Sequence, residues 1–99
     1  MSILSLSIHD ALYGYLAAQF ADADLLDLTE EQAAVDGLTD ETEAAYSEVL
    51  AQGRAVLASR PLDWRRISDY ANRRFKDEED ARRWLTRMMD LLEAALKKL

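Results

Sequence analysis

Three glycines and one proline are all that interrupt 99 residues rich in alanine and leucine, so the backbone is almost nowhere forced out of a helix. The apolar residues recur at helical spacing. Ile8, Leu12, Tyr15, Leu16 and Phe20 make one stripe and predict a helix from about Ile8 to Phe20, with Ser7 as its cap and Asp10 near its positive end. Gly14, Ala17 and Ala18 thin that stripe, which predicts close approach of another backbone there.

Residues 22–27, rich in aspartate, read as a turn anchored by Leu25, Leu26 and Leu28. Thr29 to Gln32 is a capping box and opens a short helix that ends at Asp36-Gly37. Thr39 caps a longer helix over about Asp40 to Ala58, with Ala45 or Tyr46, then Val49, Leu50, Gly53, Val56 and Leu57 facing inward. Pro61 stops it and suits the first turn of the next, about Leu62 to Phe75, whose face is Trp64, Ile67, Ala71 and Phe75. Asp77 caps a last helix running to about Lys98, with Ala81, Leu85, Met88, Leu92, Ala95 and Leu99 as its seam, widened by Trp84, Met89, Leu91 and Leu96. The expected fold is all-α, a compact antiparallel bundle of four to five helices forming a single domain over 1–99. The alternating Leu4, Leu6 and Ile8 ahead of it read as a short extended N-terminal arm, with homotypic strand pairing as the alternative.

Charge is divided unevenly along this framework. Met1 to Gly53 holds eleven acidic residues and no Lys or Arg, a formal charge of −11. Arg54 to Leu99 holds all twelve basic residues against eight acidic ones, a charge of +4. Ordinary surfaces mix both signs, so solubility does not require so long a stretch without a base. One-signed surfaces speed and orient encounter with an oppositely charged partner.

Catalytic and metal chemistry find little footing. The absence of cysteine excludes disulfides, thiolate metal sites and thiol nucleophiles, and fits a reducing, cytoplasmic setting. His9 beside Asp10 has the makings of a general base, but no nucleophile is spaced to use it, and it reads as an exposed first-turn residue. None of the six serines lies in an elbow motif. An EF-hand loop counted from Asp22 would put Leu26 at a ligand position, Asp27 where glycine is needed and Ala33 at the closing glutamate, so that pattern fails. No cofactor is implied, and an enzyme is not expected. The first eight residues lack the positive charge and apolar run of a signal peptide, and no uncharged run approaches the ~20 residues of a membrane span.

The arginine pairs Arg65-Arg66, Arg73-Arg74 and Arg82-Arg83 invite a helix-turn-helix reading, and Trp64, Ile67 and Trp84 are loosely similar in spacing to small three-helix DNA-binding domains. Asp77, Glu78, Glu79 and Asp80 would then stand where a recognition helix meets bases and phosphates. The spacing also pairs Arg65 and Arg73 with Asp69, Arg82 with Glu78 and Arg83 with Glu79, which blunts the positive field.

The reading that follows is a small acidic, non-enzymatic protein that binds and blocks a basic nucleic-acid-handling protein, its carboxylates standing in for phosphates. The expected partner face is Asp22, Asp24, Asp27, Glu30, Glu31, Asp36, Asp40, Glu41 and Glu43. In size, charge and helicity the chain is similar to toxin-immunity proteins and to phage-encoded inhibitors of bacterial defence nucleases. Two alternatives are a helical nucleic-acid-binding module using Arg54, Arg60, Arg66, Arg74 and Lys76, and an assembly protein whose negative end meets a neighbour's positive end in a homo-oligomer.

Overall fold

The structure is a computed structural model and describes residues 10–21, 23 and 25–99. The N-terminal arm, the Ser7 cap, Ile8, His9, Asp22 and Asp24 lie outside the described residues. Five helices follow in order: α1 (Asp10–Phe20), α2 (Glu30–Val35), α3 (Glu43–Ala58), α4 (Trp64–Ala71) and α5 (Glu78–Lys97), with no strand among the described residues. The all-α bundle expected from the apolar spacing is the fold.

Particular side chains set the direction of two helix pairs. Gln52 of α3 accepts from the Leu12 amide of α1 at 2.9 Å, and Tyr15 and Tyr46 meet edge to face, so α1 and α3 run antiparallel. Arg54 bonds to Asp90 and Glu93 while Arg82 donates to the Leu57 carbonyl, which makes α3 and α5 antiparallel as well. Between them lies one core in which Leu12, Leu16, Ile67, Leu85, Met88, Met89 and Leu92 are fully buried. Phe20, Trp84 and Phe75 interlock beside it, the Phe20 and Trp84 rings 4.9 Å apart and near perpendicular.

Helix starts follow local hydrogen-bond chemistry. Thr29 and Gln32 form the expected capping box on α2, and Asp77 caps α5 by accepting from the Asp80 amide at 2.9 Å. α3 begins at Glu43, not Asp40, because Thr39 and Thr42 bond to each other: Thr42 Oγ1 accepts from the Thr39 amide at 2.8 Å and donates to the Gly37 carbonyl at 2.9 Å. That exchange holds residues 40–42 in a turn.

α4 is shorter than the expected Leu62 to Phe75 at both ends. Asp63 caps it by accepting from the Arg66 amide, so Trp64 is its first residue, and Asn72 closes it in the left-handed conformation at φ 54°. Phe75 still reaches Trp84, from the connection that follows.

Two expected packing features are overturned. Gly14, Ala17 and Ala18 are exposed, and a Cβ placed at Gly14 would meet nothing within 4 Å, so no backbone approaches there. Leu25 and Leu26 do not anchor their turn. Buried Ala23 and half-buried Leu28 do, and the two leucines point to solvent.

Candidate functional site: a divided acidic surface

The nine expected acids fall into groups with different fates. Glu30 and Glu31 occupy the first turn of α2, where the unpaired amides and the helix dipole favour negative charge. Glu30 faces α5. Its carboxylate accepts from the Trp84 indole Nε1 at 2.9 Å and from Arg87 at 2.7 Å, and it also pairs with Arg73. Glu31 pairs with the other arm of Arg87. Its own backbone amide, then Arg87, hold the Glu31 carboxyl below the usual glutamate range. These two acids join the acidic half to the basic half within the molecule.

Asp36, Asp40, Glu41 and Glu43 behave differently. All four are exposed, and none lies within 4.0 Å of a cationic group among the described residues. Asp36, Asp40 and Glu41 lie on the connection between α2 and α3, whose backbone is pinned, and Glu43 is the first residue of α3. The Asp36 carbonyl accepts from Tyr46 Oη at 2.6 Å and Gln19 Nε2 at 2.7 Å, Gly37 takes φ 81°, and the Thr39–Thr42 exchange completes the turn. Burial, and then the nearby Asp36 charge, push the Tyr46 phenol above its ordinary value. Asp27 is exposed on the preceding turn, with φ 58°. Asp22 and Asp24 lie outside the described residues.

The basic half is divided too. Arg54 is committed to Asp90 and Glu93, and the Glu93 hydrogen bond raises its pKa further. Arg82 bridges Glu78, and Arg83 lies 3.9 Å from both Glu79 and Asp80. The expected pairs of Asp69 with Arg65 and Arg73 do not form among the described residues: Arg73 reaches Glu30, and Arg65 lies over the Trp64 ring, 5.1 Å from its centre. Arg60, Arg66, Arg74 and Lys76 have no ion-pair partner within 4.0 Å among the described residues. Arg66 stacks over Tyr13, 4.2 Å from the ring centre, and lies 5.8 Å from that of Tyr70.

An apolar hollow of about 300 Å³ between α1 and α3 is lined by Gly14, Tyr15, Ala18, Ala45, Tyr46 and Val49, with Asp10 at its edge. Among the described residues no three His, Cys, Asp or Glu side chains are grouped to hold a metal ion, and no helix is long and apolar enough to cross a membrane. Compared with protein-family models, curated proteins and solved structures, the chain gives no match.

Periodicity was blind to the Glu30–Arg73–Arg87–Trp84 cluster. Its members are up to 57 residues apart, so no local spacing reveals them. The signal in the sequence is weaker: two acids in the first turn of a helix whose only buried side chains are Ala33 and Ala34. So short a helix needs polar ties to stay docked.

Proposed function

We propose that this chain is a small acidic, non-enzymatic protein of the cytoplasm that binds a basic nucleic-acid-handling protein and inhibits it by covering the surface used for phosphates. The observation that carries this reading is the division of the carboxylates. Glu30 and Glu31 are spent within the fold, while Asp36, Asp40, Glu41 and Glu43 stand exposed and unneutralised on a pinned connection and at the start of α3. Carboxylates on a fixed backbone can match a row of Lys and Arg side chains with little ordering cost. The type is that of toxin-immunity proteins and of inhibitors of defence nucleases.

The test is capture of a partner from nuclease-treated lysate by the tagged parent and by an Asp36→Asn/Asp40→Asn/Glu41→Gln/Glu43→Gln variant. Glu30 and Glu31 are left intact because their loss would disturb the fold. One basic protein held by the parent, released by the variant and inhibited by the parent in a nucleic-acid-binding assay supports the reading. Equal capture by both proteins sinks it.

A second reading has its own observation. Arg60, Arg66, Arg74 and Lys76 flank or lie on α4, and Tyr70, 41% exposed, lies beside Arg66, a pairing of cation and aromatic ring suited to a stacked base. Retention of a labelled single-stranded oligonucleotide at physiological salt, lost on Arg66→Ala/Arg74→Ala, would favour it over the acidic inhibitor.

A further inference from the structure

We propose that Arg73, Arg87 and the Trp84 indole N–H form an oxyanion site in which Glu30 is the resident occupant, and that a phosphate monoester dianion takes its place when that side chain swings out. This goes beyond the inhibitor reading and uses none of Asp36, Asp40, Glu41 or Glu43.

The donors are fixed without help from Glu30. Trp84 is buried and packed against the rings of Phe20 and Phe75, which sets the direction of its N–H. Arg73 follows the left-handed Asn72, and its backbone is held to Ser68 twice. Its amide donates to the Ser68 carbonyl at 3.1 Å, and its carbonyl accepts from the Ser68 hydroxyl. Its guanidinium lies 5.7 Å from the centre of the Trp84 ring. Arg87 stands three residues beyond Trp84 on α5, hence on the same side of that helix. A cradle assembled from α4 and α5 persists when the carboxylate leaves, so little has to be ordered for an incoming anion.

The carboxylate fills this cradle incompletely. Three donors meet two oxygens: Oε2 of Glu30 is shared by Trp84 Nε1 and Arg73, and Oε1 takes Arg87. A phosphate monoester offers three oxygens, one for each donor, and close to two charges where the carboxylate has one. Another carboxylate, or the phosphodiester of a nucleic-acid backbone, brings a single charge and competes with a group already tethered in place. Space adjoins the cradle. A hollow of about 260 Å³ is lined by Asp80, Arg83, Trp84 and Arg87, so the two share Trp84 and Arg87. Arg83 is 63% exposed and no nearer than 3.9 Å to an acid among the described residues, which leaves a third guanidinium loosely held on the rim.

The exchange leaves α2 docked. The Glu30 side chain is 23% exposed and so has a path to solvent. Glu31 keeps the other arm of Arg87, and Ala33 and Ala34 stay buried. Tyr15 and Gln19 hold the carbonyls of Ala34 and Ala33 at 2.6 Å and 2.9 Å.

The Trp84 indole N–H reports on the site directly. Its signal in a proton–nitrogen correlation spectrum is told from that of Trp64, the other tryptophan, by a Trp64→Phe sample. Inorganic phosphate is titrated into the full chain at about pH 7.5, where the dianion prevails, and at constant ionic strength against chloride. The parent signal should move saturably with phosphate and stay in place with chloride. Glu30→Gln keeps an acceptor for the indole but removes the competing charge, and should bind phosphate about tenfold more tightly. Arg73→Gln/Arg87→Gln should abolish the saturable movement while helical circular dichroism remains; the parent and Glu30→Gln decide the matter even where this double change unfolds the chain. No saturable movement in the parent overturns the proposal, whatever Glu30→Gln does, because Glu30 is then a permanent tie. Equal affinity of the parent and Glu30→Gln overturns it as well, since phosphate then binds elsewhere, and so does movement that survives the loss of both arginines. A phosphoserine peptide and a nucleoside 5′-monophosphate, titrated in the same way, separate a modified side chain from a free metabolite as the source, and binding of either supports the site.

Discussion

The indole Nε1 of Trp84 donates to Glu30 across 54 residues of sequence, at 2.9 Å, and so ties the start of α2 to the middle of α5. Trp84 is almost fully buried, whereas the Glu30 side chain is 23% exposed, so the bond lies at the edge of the core. Arg73 and Arg87 close the carboxylate from the solvent side.

Removing that carboxylate should cost more than a surface ion pair does. Glu30→Ala leaves the Trp84 N–H without its acceptor and frees α2 from two guanidinium groups, an expected loss of about 2 kcal/mol. Glu30→Gln keeps an acceptor for the indole but loses the charge, with an expected loss of about 1 kcal/mol. Neutralising Asp36, Asp40, Glu41 or Glu43 singly should stay within about 0.5 kcal/mol of the parent. Urea unfolding of the six variants checks the contrast. Equal stability throughout would mean that the Glu30 cluster is only solvated surface.

Gly53 carries a prediction that reverses sign with its neighbour. A Cβ at this position would stand inside the space of the Met89 Sδ and Cγ, and Met89 is fully buried. Gly53→Ala gains about 1 kcal/mol of helix propensity but forces a packed side chain to move, which costs about 1–3 kcal/mol, so the net effect is destabilising. In a Met89→Ala background the obstruction is gone, and the same change should stabilise by roughly 0.5–1 kcal/mol. A double-mutant cycle measured by thermal unfolding reads the coupling directly.

Met89 also marks how far the sequence could be read. Its apolar spacing revealed the helices because burial on a bundle repeats every three or four residues, and Leu85, Met88 and Leu92 obey that rule. The α2 capping box and the Asp77 cap were legible because each is a local exchange over three residues. The start of α3 was misread because Thr39 and Thr42 have the same cap chemistry, and only their bonds to each other and to Gly37 decide which one begins the helix. The acidic surface was legible as a stretch but not as a face. Which carboxylates remain exposed depends on where α5 lies, and no spacing within residues 22–43 encodes Arg87 or Trp84.

Acid should loosen the molecule through three glutamates, Glu31 exposed and Glu78 and Glu93 half-buried, whose titration is shifted downward. Glu78 is held low by the Leu62 amide and then by Arg82, Glu93 by Arg54 and Lys97, and Glu31 by its own amide and Arg87. The unfolded chain takes up these protons near pH 4.3, before the folded one does, so the contribution is complete above that value and is lost as pH falls through the lower folded values. Denaturant midpoints should therefore decline below about pH 4.3, and Glu78→Gln should make that decline shallower. A decline equally steep in the variant would remove Glu78 from the account.

At the alkaline end the sign is opposite and the groups are tyrosines. Tyr15 donates to the Ala34 carbonyl at 2.6 Å inside the core, and burial drives its phenol far above the ordinary value. Burial raises Tyr13 as well, against the opposing charge of Arg66, and raises Tyr46, whose hydroxyl bonds to the Asp36 carbonyl. Phenols of the unfolded chain ionise near pH 10. Above that pH the unfolded state sheds protons that the folded state keeps, so the stabilisation is complete below about pH 10 and is lost as pH rises through the folded values. Absorbance of phenolate should therefore appear together with loss of helical circular dichroism for these three tyrosines. Tyr15→Phe leaves the Ala34 carbonyl without this donor and should cost about 1 kcal/mol at neutral pH. Because phenylalanine has no proton to lose, the same change should lessen the fall in stability above pH 10, by up to about 1.4 kcal/mol per pH unit. An unchanged alkaline slope in Tyr15→Phe would show that the Tyr15 hydroxyl titrates alike in both states.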